Sequence, residues 1–190
     1  MKVIGLRRVT LLLIVLFFSP TVAWTQETAI RNVLITNSPT HLQIQIQLSN
    51  SFNPKMEEAI QTGIPVQFEF LILLYQNQAI WNDKLLTSLT ITKVLKYDTL
   101  KEEYSISEVS NGNGSSSIVC SDLREAQEVM NNAKVPAFFP MWKLERNKSY
   151  YVKLKARSQG VEPPGYLQYI LFFLSWMNFE TDWVVEKFYY

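Results

Sequence analysis

The side chains behind most hydrolytic and metal chemistry are scarce here: one histidine, His41, and one cysteine, Cys120. A Ser-His-Asp triad would have to use His41, and no Gly-x-Ser-x-Gly elbow offers it a nucleophile. A zinc site takes three or four ligands from His, Cys and carboxylates, and this pair does not supply the usual set. The six glycines form neither a phosphate loop nor a Gly-x-Gly-x-x-Gly turn. The reading therefore assigns no catalytic, metal-binding or cofactor-binding residue, and expects no cofactor.

Carboxylates are the remaining chemistry. Glu57-Glu58 and Glu102-Glu103 are adjacent pairs. Strand neighbours point to opposite faces and helix neighbours lie about 100° apart, so neither pair shares a site. Glu180 and Asp182 share a face if their segment is extended. Acid–base cleavage of a glycosidic bond needs two carboxyls roughly 5 to 9 Å apart. The densest positive patch is Lys153, Lys155 and Arg157, with Lys143, Arg146 and Lys148 upstream. It suits an acidic partner or polysaccharide, though a solvated sheet face is the simpler reading. Trp142, Trp176, Trp183 and the closing Phe188-Tyr189-Tyr190 are expected mostly in the core, any excess lining a binding groove. Cys120 follows Ile118-Val119 and reads as a small buried hydrophobe.

The first 23 residues have the pattern of a secretory leader. Lys2, Arg7 and Arg8 precede a ten-residue apolar run, Val9 to Phe18, and Thr21-Val22-Ala23 offers a small-residue cleavage site. That run is too short to cross about 30 Å of hydrocarbon, so no transmembrane helix is expected after cleavage. The leader holds three of the 18 Lys and Arg and none of the 17 Asp and Glu, leaving residues 24–190 formally at −2. A chain so balanced lacks the basic field that nucleic acid attracts. Export permits disulfides, but a single cysteine forms none within the chain. The length of 24–190 suits one domain.

Alternation dominates that domain. His41 to Leu48 places Leu42, Ile44, Ile46 and Leu48 on one face and three glutamines on the other, a strand with one wet face and hence an antiparallel sheet. Strands are also expected at Ile30–Thr36, Val66–Tyr75, Leu85–Tyr97 (after Trp81-Asn82-Asp83), Glu102–Val109, Ser149–Arg157, Tyr166–Phe173 and Trp183–Tyr190. The second half of Val66–Tyr75 reads as covered on both faces, through Leu71 and Leu73. Asn53 to Gly63 is a punctuated helix, with Asn53 as cap, Pro54 in the first turn and Gly63 as stop. Ser121 is expected to cap a second helix running to about Asn132. The Ser-Asn-Gly stretch 110–117 reads as a flexible loop, Pro136 and Pro140 as breaks, and Pro163-Pro164-Gly165 as a turn. The pattern predicts a mainly β fold: an antiparallel β-sandwich or strongly curved sheet with two short helices.

Several segments together resemble a known family. They are Glu58-Ala59-Ile60 with Gly63-Ile64-Pro65-Val66 and Phe68-Glu69-Phe70; Tyr97-Asp98 with Leu100-Lys101 and Glu103-Tyr104; Glu125-Ala126; and Glu180-Thr181-Asp182-Trp183 with Phe188 and Tyr190. In this order they resemble the bacterial exported family known as domain of unknown function 4390. The resemblance implies a bacterial cell-envelope setting and no activity. The sequence thus points to an exported periplasmic or envelope protein, non-enzymatic, that binds an envelope protein partner. A small outer-membrane β-barrel and a carboxylate-dependent envelope hydrolase are the alternatives.

Overall fold

A computed structural model describes residues 27–80, 82–111, 113–160 and 178–190. The leader at 1–23, Trp81, the turn at 163–165, the strand expected at 166–173 and Trp176 lie outside the described residues. In chain order the elements are β1 (Ala29–Asn37), β2 (His41–Ser49), α1 (Pro54–Gln61), β3 (Val66–Gln76), β4 (Lys84–Asp98) and β5 (Glu103–Ser110). They continue with β6 (Asn113–Cys120), α2 (Leu123–Asn131), β7 (Asn132–Pro140), β8 (Ser149–Gly160) and β9 (Val184–Tyr189).

Every ladder is antiparallel. One sheet has the order β1-β2-β7 and the other β6-β5-β4-β3-β8-β9, and neither closes into a barrel among the described residues. The fold is the expected mainly β sandwich. Leu42, Ile44, Ile46 and Leu48 of β2 enter one continuous core with Val66, Phe68, Phe70, Ile72 and Leu74 of β3. Tyr150, Val152, Leu154 and Ala156 of β8 complete its centre. The period of two is the cause: alternate side chains of a strand face the same way, and each apolar set is buried by the opposite sheet. Leu71 and Leu73, expected to be covered, are only half-buried on the outer face, where the flanking side chains of β8 are charged.

α1 forms as its sequence dictates. Asn53 Oδ1 accepts the Met56 N–H at 2.9 Å, and Gly63 takes the left-handed conformation, φ 85°, that ends the helix. Met56 and Ile60 face the core.

Three expectations fail. Most of the stretch read as a flexible loop is strand: residues 113–120 form β6, paired with β5 with one register shift beside Ser110. β5 ends at Ser110 and β6 begins at Asn113, and the sequence between them is Asn-Gly, a pair favoured in tight hairpins. Pro136 and Pro140 do not end the strand but lie in β7, an edge strand; its ladder to β2 shifts register between Val135 and Phe139, so Pro136 interrupts the pairing as a bulge without ending β7. The cap of α2 is Asp122 and not Ser121. Asp122 Oδ1 accepts the Glu125 N–H at 2.8 Å, and the Ser121 N–H donates to Glu125 Oε2 at 3.2 Å. Asp122→Ala is accordingly expected to lower stability by about 1 kcal/mol, and Ser121→Ala by less than about 0.5 kcal/mol. Urea melts of the two variants check the assignment.

Candidate functional site

The residues singled out by chemistry are dispersed. His41 begins β2 and its ring nitrogen Nδ1 bonds to Thr40 Oγ1 at 3.0 Å. Cys120 ends β6 in the other sheet, 1% exposed, and burial pushes its thiol pKa up. Glu57 accepts from Gln127 Nε2 at 2.8 Å and so links the helices. Glu103 pairs with Lys101 at 3.5 Å, and Glu58 and Glu102 are exposed. Among the described residues no three His, Cys, Asp or Glu side chains gather as a metal site. No helix there is long and apolar enough to cross a membrane.

The basic stripe does come together on the outer face of β8, but with acids beside it. Arg157 donates to Glu69 Oε2 from Nε at 2.7 Å and Nη2 at 2.6 Å. Lys155 pairs with Glu180, whose carboxyl is held below its usual pKa by that hydrogen bond and charge. Lys153 and Lys155 lie 5.0 and 5.4 Å from the centre of the Trp183 ring. Glu180 is thus occupied by Lys155, and Asp182 is exposed beyond the buried Thr181. Lys143, Arg146 and Lys148 sit apart, exposed around the turn before β8. Trp142, expected in the core, is 79% exposed, because the short 3-10 turn at Met141–Lys143 turns Met141 inward instead.

A second centre lies outside every sequence motif. Lys93 occupies a core-facing position of β4, between Ile91 and Leu95, and is 3% exposed. Its ammonium donates to the Val129 carbonyl at 2.8 Å and to the Asn132 carbonyl, and pairs with Glu108 Oε2 of β5 at 3.1 Å. Three donors meet three acceptors, which is the condition for burying such a charge. Two of those acceptors lie where α2 passes into β7 without a linker, with Asn132 already extended. Carbonyls left free at a helix end attract a cation, and Asn132 Nδ2 satisfies the Glu128 carbonyl at 2.7 Å. The signal in the sequence was a lysine at a position of β4 that the alternation turns inward.

Lys93 and Glu108 form the floor of a groove of about 670 Å³. One wall is β6, through Ser116 and Ile118, and the other is α2, through Glu125 and Glu128, with Lys134 of β7 at its end. Among the described residues β6 is also an outer edge of the six-stranded sheet. Ile118 and Val119 on it are 42% and 58% exposed, on opposite faces.

Burial pushes the Lys93 pKa down from 10.5, against the opposing pull of Glu108. The unfolded chain therefore keeps this proton to higher pH than the folded one, and the lysine's contribution to stability rises with pH toward 10.5. Lys93→Met leaves two carbonyls and a part-buried carboxylate without their donor, and is expected to cost about 3 kcal/mol at neutral pH. The gap between wild type and variant widens as pH approaches 10. Urea melts at both pH values read the cost and its slope, and tyrosine titration cancels in the difference.

No curated protein and no solved structure matches the chain. The family described as "Domain of unknown function (DUF4390)" matches residues 25–186. The segments that carried the resemblance fall within that match, save the closing Phe188 and Tyr190, and the chain belongs to this family.

Proposed function

We propose that this protein is exported to the bacterial cell envelope and serves there as a non-enzymatic module that binds a protein partner by strand addition to β6. The basic, apolar and small-residue order of residues 1–23 supports export. The observation that carries the binding reading is the contrast among the four sheet edges of the described residues. Exposed edges invite pairing with another chain, and proteins guard them with charges, prolines or bulges. β1 carries Arg31 and a register shift between Ile30 and Asn32. β7 carries Lys134, Pro136 and Pro140, and β9 carries Glu186 and Lys187. β6, with the sequence NGSSSIVC, has no charge and no proline, and its register shift is confined to the end beside the turn, leaving Ser115 to Cys120 in unbroken register. An unguarded edge backed by a groove is the arrangement used when an extended segment joins a sheet.

The tagged full-length protein, purified from native envelopes under mild crosslinking, is expected to bring down one stoichiometric protein partner. Val119→Lys puts a charge on the edge and is expected to abolish that capture, with the melting temperature essentially unchanged because the side chain is exposed. Capture that survives this substitution, or no partner across several detergents, would overturn the reading.

A further inference from the structure

This inference rests on the strand-addition reading and specifies what the edge selects. We infer that the occupant of β6 is an extended segment of a partner protein that turns a small apolar residue toward Ile118 and, two residues away, a lysine or arginine toward Glu128. A strand added beside β6 continues the alternation of the sheet, so every second side chain of the newcomer lies on the groove face, beside Ser116 and Ile118. Ser116 leaves room there, and Ile118 offers apolar contact.

The charges facing that side set the rest. Lys93 is matched by Glu108 at 3.1 Å. What remains around the groove is Glu125 and Glu128 on α2 against Lys134 on β7, a net negative rim. Glu125 already accepts the Ser121 N–H, whereas no salt bridge engages Glu128 among the described residues. A basic side chain on the added strand finds a carboxylate within reach, and an acidic one meets like charge. A second copy of this chain fits poorly, because its own β6 presents serine and isoleucine to the groove and no cation.

The test uses the full-length protein and two capped peptides as long as β6 (8 residues). Both carry threonine on one face; the other face holds valine with lysine two residues later, or valine with glutamate. The lysine peptide is expected to bind about tenfold more tightly at low salt, an advantage that shrinks as salt rises. Glu128→Lys is expected to invert the preference, and Val119→Lys to abolish binding of both. Equal binding of the two peptides, or binding of neither while Val119→Lys still loses the envelope partner, overturns the inference and leaves strand addition standing. Concentration-dependent dimerisation lost in Val119→Lys makes a second copy the occupant and overturns it as well. Should Val119→Lys affect neither peptide nor partner, strand addition itself fails.

Discussion

The Lys93 ammonium is the contact on which the arrangement of layers depends. Hydrophobic burial alone places β2 and β7 over the larger sheet, but it is non-directional and does not fix where α2 stops. Lys93 does, because its three donors need three acceptors and those lie on three elements: the last turn of α2, the first residue of β7 and the middle of β5. A helix that runs straight into a strand leaves carbonyls unpaired at the junction. Here a charge rising from the opposite sheet satisfies them. An ion pair in such a place is weak evidence of net stability, since desolvation offsets much of the attraction. Its stronger effect is on specificity, because any slip of α2 along the sheet strands a buried charge.

Much of this was legible in the sequence where one physical rule acts alone. Leu42 to Leu48 and Tyr150 to Ala156 are buried as their alternation requires, and the Asn53–Pro54–Gly63 punctuation fixes α1 within a residue or two. Legibility failed where composition and context competed. Serine, glycine and asparagine have turn chemistry, yet at 113–120 a long partner strand overrides it. Pro136 reads as a breaker until the strand is known to lie at an edge. Asp122 and Ser121 are equally good caps by type, and only the phase of the helix separates them. The groove was not legible at all, since it joins β4, β5, β6, α2 and β7, and no local spacing encodes that meeting.

The outer face of the large sheet shows why the densest run of basic residues is not the most open binding surface. Lys155 and Arg157 meet Glu180 and Glu69, and the Trp183 ring lies beneath two lysine ammonium groups. Alternation places the positive side chains on one face, but the neighbouring strand and the approach to β9 bring acids to the same face. Little net field survives to attract a polyanion. Charge counted along one strand therefore overstates what a sheet presents.

The edge at β6 and the ion pair at Lys93 are parts of one mechanical unit. Glu108, the acceptor that completes Lys93, lies directly opposite Ser116 in the β5–β6 ladder. The contact that anchors α2 thus also pins the middle of the hairpin whose outer strand is open. Strand addition gains affinity when the receiving edge is already extended and held, because less conformational entropy is lost on association. A serine-rich strand on its own would be a poor receiver, since its composition favours turns and its side chains pack little. Held between a long ladder to β5 and a helix fixed by a buried charge, the same strand stays extended. The composition that leaves the edge without charge or bulk for a partner is tolerated because Lys93, one layer inward, supplies the order that β6 does not encode.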